Sequence, residues 1–277
     1  MQAGCLADQE PDLRLADSDF SQFQTLLHRL AGIHLSPAKK AMVSGRLAKR
    51  VRHHRLRGYG DYLRLLHSGS EPQEMQIALD LLTTNETYFF REPKHFDFLR
   101  ARILPERRPG KPFRIWSAAC SSGEEPYSLA MLLADRLREA PWEIVASDIS
   151  TRVLERARSA HYAIERAERI PAAYLSAFCL KGVGRQDGTF LINQNLRNRI
   201  RFLQINLNEQ LPQLGDFDVI FLRNVMIYFD PETKRKVVRR LLAVLRPGGH
   251  LLIGHSESLN GIVDDLQMIV PSIYRKP

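Results

Sequence analysis

From Pro112 onward the chain alternates short apolar runs with helical segments, and this rhythm limits the fold more than any other feature. Phe113–Ser117, Glu143–Ser147, Arg201–Ile205, Asp218–Leu222 and His250–Gly254 have the length of strands and the apolar character of strands buried on both faces. Between most of them lie the helical stretches Pro126–Arg138, Thr151–Ala160 and Pro231–Leu245, with a late strand near Met268–Tyr274. Such alternation predicts a doubly wound, Rossmann-like α/β sheet whose ligands gather at the carboxyl ends of the strands. Ala172–Asn198 breaks the rhythm. It carries Gly182, Gly184 and Gly188 between the strand-like Phe178–Leu180 and Thr189–Ile192, and predicts a small antiparallel insert.

Upstream, the pattern is helical without interruption. Ser18 suits the cap of a helix bearing Phe20, Phe23, Leu26, Leu27 and Leu30, which Gly32 ends. Further helices follow Ser36–Pro37, start at Asp61 and follow Glu71–Pro72. The expected organisation is a disordered acidic leader over residues 1–17, an all-α domain over 18–83, and an α/β domain over 84–277 holding the insert at 172–198.

Charge is distributed unevenly. The net charge is +9, and between Ser36 and His67 nine Lys and Arg face a single acid, Asp61. A concentrated excess of this kind points to an acidic partner, which composition alone leaves open among nucleic acid, anionic membrane and protein. On a helical wheel Lys39, Arg46, Lys49, Arg50, His53 and Arg57 share one face beside the apolar stripe Val43, Leu47 and Val51. No apolar run approaches the roughly 18–20 residues of a membrane span. Residues 1–20 hold five acids and one base, unlike a signal peptide. Three scattered cysteines, Cys5, Cys120 and Cys179, outline neither a disulfide framework nor a zinc site. The expectation is a cytoplasmic protein.

Four segments carry chemistry. Trp116–Pro126 joins the first strand to a helix through small residues and one glycine, so a dinucleotide cradle is poorly supported. Glu124 and Glu125 stand where an anion would otherwise sit, which suits a cationic ligand such as S-adenosylmethionine and equally suits acids placed on a helix dipole. Asp148 ends the second strand, where an acid accepts ribose hydroxyls or caps the next helix. Leu82–Pro93 packs Phe89, Phe90 and Arg91 among capping-type residues. In Phe217–Asp230, Asn224 and Tyr228 follow a buried strand.

Taken together these segments resemble the bacterial chemotaxis receptor methyltransferases of the CheR type. The matching pieces are Thr84–Arg91, Trp116–Ser128, Ala146–Ile149, Arg223–Asp230 and Gly254–Ser258, in that order. The resemblance implies a class I methyltransferase fold that transfers methyl groups from S-adenosylmethionine to receptor glutamates, releasing S-adenosylhomocysteine. It places Asn85, Thr87, Arg91, Glu125, Asp148, Asn206, Leu207, Arg223 and Asn224 around the cofactor. Arg91 and Tyr228 are the expected catalytic pair, with no metal. Arg46, Lys49, Arg50 and Arg52 are expected to meet the receptor's cytoplasmic helices within receptor arrays, and the insert to hold a receptor C-terminal tail. Cys120 departs from the smaller residue common in the family.

The chemistry agrees with this expectation. A glutamate carboxylate is ionised at neutral pH, so no general base is needed. The protein must align the reacting groups and remove water. Two rivals remain at this stage: an RNA methyltransferase, for which the basic segment would serve, and a non-enzymatic S-adenosylmethionine-binding adaptor.

Overall fold

The computed structural model describes residues 13–108 and 110–277. Most of the expected acidic leader, residues 1–12, lies outside the described residues; Leu15 is already buried. The chain forms two compact units: residues up to Leu30 with His34–Thr83, and Ala31–Ile33 with Thr84–Pro277.

The first unit is helical: α1 (Asp17–Ala31), α2 (Lys40–His53), α3 (Tyr59–Ser68) and α4 (Glu74–Leu82). Ser18 falls inside the first turn of α1 instead of capping it, because the Phe20 amide already bonds the Ala16 carbonyl at 3.0 Å. Val43, Leu47 and Val51, spaced four apart on α2, are fully buried together with Phe23 and Tyr62.

The second unit contains α5 (Pro93–Phe98), β1 (Phe113–Ser117), α6 (Glu124–Leu137), β2 (Trp142–Asp148), α7 (Thr151–Ser159) and β3 (His161–Ala163). It continues through α8 (Ala172–Phe178), β4 (Cys179–Lys181), β5 (Thr189–Ile192), α9 (Gln194–Arg197), β6 (Ile200–Gln204) and β7 (Phe217–Leu222). It closes with α10 (Pro231–Val244), β8 (Leu245–Ile253), β9 (Gln267–Val270) and β10 (Ile273–Arg275).

The large sheet runs β6-β2-β1-β7-β8-β10-β9. Its first five strands are parallel, and β10 is antiparallel to both neighbours. This is the doubly wound order of class I methyltransferases, with the reversal between β1 and β7. Strand register explains the burial. Ile115, Ile144, Val219 and Phe221 enter one core with α6, whereas Trp116, Val145, Ile220 and Leu222 enter the other with Val237, Val238 and Leu241 of α10. Burying each such side chain contributes about 1.5–3 kcal/mol, which is why these strands are apolar on both faces.

The insert differs from its expected form in two respects. Its sheet has three strands, β3-β5-β4, so it reaches back to His161, before residue 172. Phe178 closes a helix instead of opening a strand. Tyr174, Leu175 and Phe178 share a helical face that packs on the main core, and that burial outweighs local strand propensity. Among the described residues no helix is long and apolar enough to cross a membrane.

Candidate functional site

The carboxyl ends of β1, β2 and β7 are tied together by the turn that leaves β1. The Ala118 amide bonds Phe221 O at 2.9 Å and the Cys120 amide bonds Ser147 O at 2.8 Å, so the turn lies across both neighbouring strands. Gly123 closes it at φ +97. A side chain there would strike the Tyr162 hydroxyl and Ala157, which makes the glycine obligatory.

Asp148 sits at this crossing. Its Oδ2 accepts from the Ser121 amide at 2.9 Å and its Oδ1 from the Ser150 amide at 3.0 Å. It therefore braces the turn and the approach to α7 at the carboxyl end of β2, where ligands of such sheets gather.

The two adjacent acids of the turn diverge. Glu124 is fully buried, accepts from Ser122 Oγ at 2.7 Å and pairs with Arg166 at 3.0 Å; burial raises its carboxyl pKa. Glu125 points the other way, accepts from Ser117 Oγ at 2.7 Å, and binds Arg223 Nη1 at 2.7 Å. Cys120 is buried, and burial pushes its thiol well up, so it offers no thiolate nucleophile.

Arg223 is the hub. Its side chain, 2% exposed, reaches Glu92 Oε2 through Nη2 at 3.0 Å as well as Glu125, and also donates to the Arg91 carbonyl. Asn224 Nδ2 and the His255 amide supply Glu92 Oε1, each at 3.2 Å. Burial alone would raise the Glu92 carboxyl; Arg223, then Asn224 and the His255 amide, outweigh it and hold it below the usual range. Two carboxylates thus face one guanidinium, leaving an excess of negative charge at the strand ends. A cationic ligand fits that balance.

The Asn85–Arg91 loop is laid against the same turn. Asn85 O accepts from Ser121 Oγ at 2.8 Å, Thr87 O from Arg166 at 2.9 Å, and the Phe90 amide donates to Ser128 Oγ at 2.9 Å. Arg91 donates to Glu86 O at 2.8 Å and lies over the Tyr88 ring. Phe90, Glu92, Ser121 and Asn224 all adopt left-handed backbone, with φ of 53, 58, 49 and 57°. Four such non-glycine residues in one place mark a site where packing holds the chain in costly conformations. Tyr228, on the short helix Met226–Tyr228, is half-buried, and its hydroxyl has no partner among the described residues.

Two predicted cofactor residues follow β6 beside Asp148, whose carbonyl accepts from the Ile205 amide at 3.1 Å. Asn206 is occupied by Asn208 and Glu209 in the loop after β6, and Leu207 packs its side chain into the α10 core while its carbonyl accepts from Arg240 at 3.1 Å. An adenine would meet Leu207 through its backbone, because the core has already claimed the side chain.

Sequence reasoning missed Glu92 and Glu257. Glu257 accepts from the amides of Gly254 at 2.7 Å, Asn224 at 2.9 Å and Ile227 at 3.2 Å, and burial nevertheless raises its pKa. It fixes the strained Asn224 backbone. Both acids lie within the quoted segments Leu82–Pro93 and Gly254–Ser258, but nothing local distinguishes them from surface glutamates.

Two bases on the expected face of α2 also have partners inside the helical unit. Arg46 Nη1 caps α4 by donating to the carbonyls of Leu81, Leu82 and Thr83, at 3.2, 3.2 and 2.9 Å. Arg50 forms a fork with Glu74, which is 3% exposed and also accepts from Tyr62 at 2.6 Å and pairs with His54 at 3.0 Å. Burial pushes the Glu74 carboxyl up, and its three partners outweigh that and bring it to about 2. Arg46 and Arg50 therefore hold the helical unit together, while Lys49 and Arg52 remain exposed. The acid that balances this face comes from α4, outside the stretch on which the charge was counted.

Comparisons with known proteins agree on one family. The description "CheR methyltransferase, SAM binding domain" matches residues 85–274, and "CheR methyltransferase, all-alpha domain" matches 18–83. The chemotaxis protein methyltransferase of Escherichia coli (strain K12) is 42% identical over 262 residues, covering 94% of this chain and 91% of that protein. That of Salmonella typhimurium is 40% identical over 276 residues, 99% of this chain and 95% of the relative. Chemotaxis protein methyltransferase 2 of Pseudomonas aeruginosa is 44% identical over 243 residues, 87% and 86% of the two chains.

Proposed function

The chain belongs to the CheR methyltransferase family, and from that premise we propose that its α/β unit methylates glutamate carboxylates of chemotaxis receptors, using S-adenosylmethionine. The observation that carries the reading is the Glu92–Arg223–Glu125 arrangement, whose excess negative charge at the strand ends suits a sulfonium and an ammonium. When bound, S-adenosylmethionine supplies the methyl group and becomes S-adenosylhomocysteine.

Asp148 would hold the ribose, Glu125 and Asn85 the amino-acid part, and the Asn206–Leu207 backbone the adenine. Arg91 orients the incoming carboxylate once it releases the Glu86 carbonyl, and the unpartnered Tyr228 hydroxyl donates at the reacting centre. Phe89 and Phe90 shield the site from water, which matters because a hydrated carboxylate is a weak nucleophile. Incubation with labelled S-adenosylmethionine and receptor fragments tests the reading: base-labile methyl esters are expected. Label in RNA, or cofactor binding without turnover, would transfer the assignment to a rival. The relatives that match nearly the whole chain are chemotaxis protein methyltransferases, which does not favour the RNA reading.

Lys49 and Arg52 remain for receptor contact. The insert offers a second surface, since β4 is an edge strand with Leu180 55% exposed and Val183 beyond it 76% exposed. An extended receptor tail would pair with that edge and raise the local enzyme concentration. Titration with receptor C-terminal peptides should show binding that Leu180→Asp weakens; equal binding by the variant places the tail elsewhere.

A further inference from the structure

Beside Glu92 stand His95 and His255, two histidines to which the proposed methyl transfer gives no role. The turn of chain at the start of α5 brings Glu92 and His95 onto one side, and the segment after β8 adds His255. Their ligand atoms all lie within 4.8 Å of one another. Glu92 Oε2 is 3.4 Å from His95 Nδ1 and 3.9 Å from His255 Nε2.

The hydrogen-bond network fixes the state of His95. Ser272 Oγ donates to Pro271 O at 2.6 Å, so toward His95 Nε2, 2.7 Å away, it acts as acceptor. Nε2 therefore carries the ring proton and Nδ1 presents a bare lone pair. His95 is 1% exposed, and this Nδ1 has no hydrogen-bond partner. A buried lone pair thus faces a carboxylate oxygen, an arrangement that a cation between them would resolve.

We infer that Glu92, His95 and His255 bind one divalent transition-metal ion of borderline softness, for which Zn²⁺ is the natural probe. Two imidazoles and a carboxylate suit Zn²⁺ better than Mg²⁺ or Ca²⁺, which take oxygen ligands. Ligands at about 2.0–2.1 Å in a tetrahedron stand roughly 3.3 Å apart; the His95 spacing of 3.4 Å already matches, and the half-exposed His255, at 3.9 Å, needs only a small side-chain movement. The outer shell is present as well. Ser272 orients His95, and Arg223 and Asn224 hydrogen-bond the Glu92 carboxylate as outer partners of metal-binding carboxylates do. His255, 45% exposed, leaves the fourth position open to solvent. The nearby Arg223 charge opposes any cation, so the affinity should be below that of a structural zinc site.

Titrate the full chain, free of any added histidine tag, with Zn²⁺ by calorimetry, and with Co²⁺ by visible absorption. One equivalent should bind, with the intense d–d bands of a four-coordinate Co²⁺ ion and a rise in melting temperature. His255→Ala, at an exposed position that leaves folding intact, should raise Kd by on the order of 100-fold, because loss of an outer partner alone costs about 10- to 100-fold. His54→Ala, in the helical unit, should leave binding unchanged. No stoichiometric binding, or binding that survives His255→Ala, overturns the inference.

Discussion

Each unit holds an arginine in a network with buried or half-buried acid, Arg50 with Glu74 and Arg223 with Glu92 and Glu125, and the two arrangements have opposite meanings. In the helical unit Arg50 meets Glu74, and Glu74 also has Tyr62 and His54, so every strong donor converges on one acid. The network is closed and the backbone around it is regular helix. In the α/β unit Arg223 is shared by Glu92 and Glu125, acids outnumber the base, and Glu92 and Asn224 are held in left-handed backbone. A closed network with charge balance serves folding, whereas an unbalanced one on strained backbone at strand ends is prepared for a ligand.

The comparison can be broken most sharply by removing the two arginines in turn. Arg223→Met should lower methyl transfer by about 10³-fold and weaken cofactor binding, since it deletes an oriented donor and leaves Glu92 and Glu125 without their shared cation and out of place. Arg50→Met should cost about 3 kcal/mol of stability by denaturant titration with cofactor affinity unchanged in calorimetry. Cofactor affinity lost equally in both variants would erase the distinction.

Next in size, Tyr228→Phe and Arg91→Ala should each slow turnover by about 10²-fold while the melting temperature stays put. Near-normal rates would move the reacting centre away from the end of β7.

Acid separates the units more gently. The folded Glu74 carboxyl, at about 2, lies below its ordinary 4.5, so its contribution is complete above about pH 4.5 and fades as pH falls toward 2. Helical-unit stability, followed by hydrogen exchange, should decline through that window, and Glu74→Gln should flatten the decline.

The smallest effect concerns the exposed bases. Lys49→Glu with Arg52→Glu should raise the KM for receptor a few-fold and leave stability within about 0.5 kcal/mol. An unchanged KM at low salt would remove α2 from receptor recognition.

The strands β1, β2 and β7 were legible in the chain because burial on both faces demands short, mostly apolar stretches such as Ile144–Ala146 and Val219–Leu222. Asp148, at the end of β2, follows from the same logic, since strand ends locate themselves. His161–Ala163 was not legible: three residues carry no period, and they become a strand only when Leu191, Phe190 and Thr189 arrive opposite. Glu92 lies 131 residues from Arg223, so its role exists only after the sheet has assembled. The same reason hid the internal partners of Arg46 and Arg50. A run of bases fixes how much charge a segment carries. Where that charge points depends on partners such as Glu74 and the α4 carbonyls, which folding brings from elsewhere in the chain because a half-buried guanidinium must find acceptors for the donors that water cannot reach.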